Sequence, residues 1–447
     1  MTKRTTDPAD DTRRVVVVGG GAAGALVAAN LLRTSRTGRA VDVRVIERED
    51  VIGPGLAYRT GDPRHLLNNY AARLSVFEQE PDHLLHWCAD RGIPAEPQSF
   101  LRRHLYGEYL TDVLATTPVS EGSRLHRLRG EVVDVQPRRT GFSVHLACGW
   151  AQDADVVVLA LGNPPPRRVT ECEVLGRRYV ADPWAPGMLD TLSGTDRVLL
   201  VGTGLTMVDV AAQINATHPR TRMVAMSRHG LLPARHVRRP LRPFDGFRPD
   251  ISSLSALLRD VRRRVDEVEQ VGGDWRDVVD AIRPFADDLW QQLSPGDRER
   301  FVRLVSRRWE VLRHRMAPEM ADVIDDLLAD GTLRIARPDQ VDLSAFSRVI
   351  NCSGPASVCT PGWNAVVDRL AVRGLLRPNG LGLGLDINPD GVLLDASGAP
   401  TPGLYAVGAA RRGVVWEVAA IPDLRKQAAS LATHLLAPGT PGRALPA

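Results

Sequence analysis

Lysine is almost missing from this 447-residue chain: Lys3 and Lys426 are the only two. Lys3 lies in a polar tail and Lys426 in a terminal helical pattern, which argues against a Schiff-base lysine. The five cysteines, Cys88, Cys148, Cys172, Cys352 and Cys359, form no C-x-x-C pair, which argues against a dithiol redox centre or a zinc knuckle. No metal site is expected, and unpaired cysteines suit a reducing, cytoplasmic location. Residues 1–14 contain no apolar signal core, and no run approaches the roughly 18 apolar residues of a membrane span. Charge of one sign is scarce too. Lys and Arg total 57 against 53 Asp and Glu, spread along the chain, which gives no support to nucleic-acid binding.

What is present is ordinary globular composition, 43% hydrophobic and 25% charged, long enough for two or three domains. Residues 14–29 read RVVVVGGGAAGALVAA, a buried-strand pattern running into a glycine turn and an alanine-rich helix. Residues 41–47, VDVRVIE, complete a strand–helix–strand unit. The pattern restarts at 197–214, RVLLVGTGLTMVDVAAQI, with a strand at 222–228. Between about 250 and 330 the spacing becomes helical, with Leu254, Leu257, Leu258, Val261, Val265 and Val268 at i, i+3 and i+4 intervals. Strand-like segments at 348–354 and 404–410 then restore α/β character before a last helix at 422–436.

The expected fold is α/β, with two Rossmann-like dinucleotide-binding domains, the first of three-layer ββα type and discontinuous, and a helical insertion. The boundaries read as a flexible tail at 1–13, an FAD domain made of 14–190 and 341–436, an NAD(P) domain at 191–340 that carries the insertion at about 250–330, and a tail at 437–447.

The first glycine turn, Gly19-Gly20-Gly21-Ala22-Ala23-Gly24, is a complete G-x-G-x-x-G. Gly19 permits the tight turn, Gly21 lets backbone approach a pyrophosphate at the helix start together with Ala22, and Gly24 allows close helix–strand packing. Glu47 ends the next strand, where a carboxylate accepts ribose hydroxyls and disfavours a 2′-phosphate. FAD or NAD fits this turn better than NADP. The second turn keeps Gly202 and Gly204, followed by Leu205 and Thr206, but has Met207 where the packing glycine stands. Its second strand ends in Ser227 and Arg228 with no acid, which favours NADPH, with NADH as the alternative; a solvated basic turn is the plainer reading. Two such turns imply hydride passing from nicotinamide to flavin.

Several segments resemble one family: Gly53-Pro54-Gly55-Leu56-Ala57-Tyr58, His65-Leu66-Leu67-Asn68, LYGEYL at 105–110, SRHGLLP at 227–233, RHRMAPE at 313–319 and WEVAAIPDLRKQ at 416–427. They are similar to the FAD/NAD(P)-binding flavoproteins that include flavin-dependent urate hydroxylases and nitrosuccinate-forming aspartate N-monooxygenases. The resemblance runs from about 14 to 436. It implies that Arg48, Tyr58, Gly162, Gly408 and Ala409 join the first turn around FAD. Two departures stand out. NYAARLSVFEQEP follows HLLN in place of a Val-Pro-Ala turn, and Gly408-Ala409 replaces the Gly-Asp whose acid binds the flavin ribityl or phosphate.

The activity implied by the resemblance is an NAD(P)H-dependent monooxygenase: dioxygen adds to reduced flavin at C4a, and the hydroperoxide hydroxylates a small polar nitrogen-containing substrate. That substrate is an amino acid, a small amine or a urate-like heterocycle. Such chemistry belongs to the cofactor and needs a dry pocket rather than a catalytic triad. His65, Asn68, Asn69 and Arg313 are the substrate-side candidates, able to bind carboxylate, amide or purine edges. As ordinary alternatives, the first three are turn residues, and Arg313 and Arg315 pair with Glu310 and Glu319 along a helix. Trp275, Trp290 and Trp309 read as core anchors. The partners expected are the small-molecule substrate and dioxygen, with no nucleic acid or membrane; a homo-oligomer is compatible. Two other functions fit the same turns: an FAD-dependent oxidoreductase that inserts no oxygen, and a non-catalytic dinucleotide-binding protein.

Overall fold

A computed structural model describes residues 12–190, 192–238 and 247–437. The tail residues 1–11 and 438–447 and the expected boundary residue 191 lie outside that range. In chain order the strands are β1 (Arg13–Val18), β2 (Val41–Glu47), β3 (Arg124–Arg129), β4 (Val132–Pro137), β5 (Phe142–Leu146), β6 (Ala151–Ala154) and β7 (Val156–Leu159). There follow β8 (Tyr179–Val180), β9 (Arg197–Val201), β10 (Arg222–Met226), β11 (Leu333–Ala336), β12 (Arg348–Asn351), β13 (Val392–Leu394) and β14 (Pro400–Ala406).

The first sheet runs β13-β14-β7-β1-β2-β3, parallel except for the antiparallel edge pair β13–β14. The side-chain period of two places β1 between two layers. Val15 and Val17 enter a core with helices Ala22–Ser35, Arg103–Thr116 and Ile421–Leu436, while Val16 and Val18 enter a second core roofed by the antiparallel sheet β4-β5-β6. A strand buried on both faces must read as an unbroken apolar run, which is why four valines stand in a row. Sheet between helices on one side and a small sheet on the other is the expected three-layer arrangement.

The second sheet is wholly parallel, in the order β11-β10-β9-β12-β8. Its membership differs from the expected boundaries: β8, placed by sequence before the junction at 190, and β12, placed after that at 340, both belong here. β9 lies mid-sheet and needs a partner on each edge; β10 supplies one and β12 the other. A four-residue strand such as RVIN carries no mark of which parallel sheet it joins. The chain crosses between the sheets at paired segments, where Arg167 N–H donates to Gly354 O (3.0 Å) and Ala356 N–H to Pro165 O (2.9 Å).

The helical insertion is shorter than the expected 250–330. Helix Pro318–Ala329 packs on Leu205–Thr217 as a layer of the second sheet, with Met320, Ile324 and Leu327 in that core. The insertion proper comprises Leu254–Gln270, Trp275–Ile282, Ala286–Gln292, Pro295–Leu304 and Ser306–Arg313. Ser253, Asp274 and Ser294 start three of these helices by accepting backbone N–H groups, the usual work of short oxygen-bearing side chains. Trp290 anchors the insertion on the first domain: it is buried, packs against Trp416 with ring centroids 4.8 Å apart and donates Nε1–H to Gly413 O at 2.9 Å. Trp275 and Trp309 are half-buried. No helix among the described residues is long and apolar enough to cross a membrane.

Candidate active site

At the first turn Gly19 adopts φ +101°, and a Cβ there would lie 2.4 Å from Ala160 O. A Cβ on Gly24 would lie 1.9 Å from Gly19 O, so helix Ala22–Ser35 can approach β1 only because this position has no side chain. Gly21 is the helix cap and offers no side chain to the first-turn N–H groups, leaving those donors for an anion. Gly20 N–H donates to Glu47 Oε2 (2.6 Å) and Glu49 N–H to Oε1 (3.1 Å); each carboxylate oxygen retains a lone pair for a ribose hydroxyl. Ala22 is half-buried in the helix's first turn, and Arg48 is exposed just beyond Glu47. Gly55 folds over the turn, its own Cβ position 2.9 Å from Gly21 Cα, and the Tyr58 ring packs against that of Tyr106, tilted by 59° at 5.0 Å. Burial pushes the Tyr58 phenol up to about 12, so it stays a neutral donor.

Gly162, exposed at φ +70°, has open space around its Cβ position. Gly408, at φ +72°, lies 3.7 Å from Ala23 Cβ by the same measure, so the end of β14 meets the first turn. In place of the expected acid beside it, the buried Gln427 carbonyl accepts Gly408 N–H at 2.8 Å. Ala409 contributes backbone alone.

The second turn repeats the first in its opening glycine: Gly202 has φ +123°, with a Cβ position 2.4 Å from Cys352 O. Gly204 has no atom within 4 Å of its Cβ position and caps helix Leu205–Thr217 without a side chain, with Leu205 and Thr206 half-buried in the first helical turn. Met207 is fully buried in the domain core; this helix stands far enough from its strand to admit a side chain where Gly24 admits none. Ser227 does not project freely. Its hydroxyl bonds Thr203 Oγ1 (2.9 Å) and accepts Gly230 N–H (3.1 Å). Arg228 is exposed. Arg307, which sequence reading passed over, reaches the same turn from the insertion, donating to Thr203 Oγ1 (3.3 Å) and Leu231 O (3.1 Å).

The substrate-side candidates fall in separate places. His65 is buried, its Nδ1 2.6 Å from Thr60 Oγ1 and its Nε2 without a partner; burial lowers its pKa despite nearby Asp209. Beside it Arg103 and Asp209 join the two domains through a buried pair at 2.7 Å. Asn69 uses its carbonyl to accept Tyr70 N–H, a local turn role, and Asn68 offers its backbone O to His236 Nε2–H at 3.1 Å. Arg313 is buried, and neither it nor Arg315 makes the helical pairs considered above: Arg313 faces Glu417 at 3.6 Å and Arg315 binds Asp280 at 2.9 Å. Glu310 and Glu319 pair with Arg412 and Arg238 instead. All four charges turn instead to side chains on other elements of the fold.

Arg313 belongs to a buried charged cluster between the insertion and the segment from Trp416 to Asp423. Arg283 faces Asp423 at 3.6 Å, Trp309 Nε1–H donates to Glu417 Oε1 at 3.1 Å, and Asp287 lies against the Trp416 and Glu417 backbone. Burial, reinforced by Asp423 and Glu417, raises Asp287 to about 6. Burial and Arg313 bring Arg283 down to about 10, and burial among arginines keeps His314 neutral, at about 3. Arg283 Nη2, Asp287 Oδ1, Arg313 Nε and Nη2 and Asp423 Oδ2 have no hydrogen-bond partner. No group of His, Cys, Asp and Glu able to hold a metal occurs among the described residues.

Residues 16–164 match the FAD-NAD(P)-binding family model. No curated protein sequence matches the chain. Among solved structures, ornithine hydroxylase from Pseudomonas aeruginosa is 14% identical with a TM-score of 0.63, covering 95% of this chain and 99% of that one. L-lysine 6-monooxygenase from Pseudomonas syringae is 15% identical with a TM-score of 0.62, covering 94% and 98%. Bacillithiol disulfide reductase from Bacillus cereus is 13% identical with a TM-score of 0.53, covering 94% and 98%. At such identities the likeness is one of fold, and it spans the whole of each partner. The chain has the two-domain α/β fold of FAD- and NAD(P)-binding flavoproteins, with a discontinuous first domain and a helical insertion.

Proposed function

We propose that this protein is an FAD-dependent monooxygenase that uses NADPH and dioxygen to hydroxylate a nitrogen of a small polar substrate. One observation carries the reading: two strand–glycine–helix turns, each with uncapped helix N–H groups, stand in one chain whose fold matches an ornithine hydroxylase and an L-lysine 6-monooxygenase over 99% and 98% of their length. Gly19, Gly21, Ala22, Gly24 and Glu47, with Arg48, Tyr58, Gly162, Gly408 and Ala409, would hold FAD. Gly202, Gly204, Leu205, Thr206, Ser227, Arg228 and the added Arg307 would hold NADPH. Bound flavin supplies oxygen activation after reduction by the nicotinamide. The chain's own residues fix the two cofactors on rigid turns, hold Tyr58 and His65 neutral, and exclude water. In balance, an amine, dioxygen, NADPH and a proton give the hydroxylamine, NADP+ and water. The five free cysteines support a reducing compartment.

The test is to supply isotopic dioxygen with NADPH and candidate amines or amino acids and to follow label into product. Stimulated NADPH oxidation with labelled hydroxylamine is the expected result. Stimulated oxidation with no label in any product would replace the reading with a reductase, the alternative that the disulfide reductase fold favours.

A further inference from the structure

The charged cluster between the insertion and the Trp416–Asp423 segment is not explained by holding the fold together. Arg313 and Glu417 side chains are 8% and 5% exposed and Arg283 and Asp423 are 11% and 13% exposed, yet both pairs stop at 3.6 Å, beyond hydrogen-bond length. A buried donor or acceptor left unmade costs roughly 1–3 kcal/mol, more when charged. Here two guanidinium groups and two carboxyls each leave at least one such atom unmade. Native interiors rarely keep several charged atoms without hydrogen bonds in one place, and such atoms call for water, an ion or a ligand to complete them. The groups come from opposite sides: Arg283 from the turn Arg283–Phe285, Asp287 from helix Ala286–Gln292, Arg313 from the end of Ser306–Arg313, and Asp423 from the first turn of Ile421–Leu436. That helix packs on Ala22–Ser35, the helix of the first glycine turn, so the cluster lies at the flavin-domain end of the insertion.

Resting on the monooxygenase reading above, we propose that Arg283 and Arg313 seat the carboxylate of a small amino-acid substrate, while Asp287 and Asp423 receive its amino group. The guanidinium fork matches a carboxylate in two parallel bonds and loses little freedom on binding. The acids offer unpartnered oxygens of the opposite sign, which a carboxylate-only ligand would leave unmet and a free amine would meet without satisfying the arginines. A ligand bearing both groups completes the cluster. A flat neutral heterocycle satisfies neither side.

The test is calorimetric titration of the FAD-loaded protein with the standard L-amino acids and L-ornithine, and with carboxylate-free counterparts such as putrescine and cadaverine. At least one amino acid should bind, and its decarboxylated counterpart should bind at least about tenfold more weakly, as expected for a lost charge-assisted pair. Arg283→Met and Arg313→Met should each weaken amino-acid binding about tenfold or more, with Arg283→Lys recovering part of it. FAD absorbance per protein and melting temperature, read on the same samples, separate a lost seat from a lost fold. Equal binding of amino acid and amine, no binding by any amino acid, or unchanged affinity in folded, FAD-loaded Arg283→Met and Arg313→Met would overturn the proposal. So would loss of FAD by folded variants with unchanged amino-acid affinity, since the arginines would then serve the cofactor. Failure of the hydroxylation reading looks different: amino acids bind, but no isotopic oxygen reaches them.

Discussion

Replacing Gly24 with Ala should eject FAD from an otherwise folded protein. The added Cβ would sit 1.9 Å from Gly19 O and 3.0 Å from Gly19 C, where ordinary contact needs about 3.4 Å. Both obstacles are backbone, so the helix start must retreat by about 1.5 Å. Overpacking of this kind costs about 1–3 kcal/mol of stability. The cofactor should lose more, because the uncapped N–H groups that would hold its pyrophosphate ride on the displaced turn. Losing two charge-assisted hydrogen bonds, at about 1.5–3 kcal/mol each, raises the dissociation constant by two orders of magnitude or more. The assay is visible flavin absorbance relative to protein absorbance after purification and again after adding excess FAD, with thermal unfolding alongside. Met207→Ala is the internal comparison: the same position of the second turn, fully buried, should lose about 2–5 kcal/mol through a cavity and keep its FAD. A Gly24→Ala protein that purifies with full FAD and melts as the wild type does would refute the reasoning.

Arg103 and Asp209 bridge the domains with side chains 16% and 4% exposed. Arg103→Ala should destabilise by about 3–5 kcal/mol in urea unfolding, and Arg103→Ala with Asp209→Ala together by less than the sum, because the first leaves a buried charge alone. Arg228→Ala should lower the preference for NADPH over NADH by about tenfold in steady-state kinetics, the loss of one phosphate contact; an unchanged ratio would leave Arg307 as the cation to test. Asp287 is an acid whose folded value, about 6, exceeds its ordinary 3.8. Its protonated form is therefore favoured by folding, and stability should fall as pH rises from about 4 to about 6, by about 2 kcal/mol after allowance for partial exposure. Asp287→Asn should flatten that part of the stability profile; an unaltered slope would remove Asp287 as its source.

The sequence by itself determined what is local. The valine run, the Gly-x-Gly turns and Glu47 each act within one strand–turn–helix unit, where period, φ and the length of a side chain decide the outcome. The three-layer first domain followed, since a strand apolar at every position must be covered on both faces. Tertiary structure decided whatever depends on partners far along the chain. Nothing in RVIN at 348–351 marks the second sheet as its home; the open edge of β9 does. Arg313 and Arg315 sit at helical spacing from acids, yet they face Glu417 and Asp280 because packing of the insertion brings those carboxyls into the drier position. Arg283, Asp287, Arg307 and Asp423 lie outside any glycine motif, and they acquire meaning only when elements more than a hundred residues apart close around them. Burial without a partner is a property of that closure, and no spacing in the sequence records it.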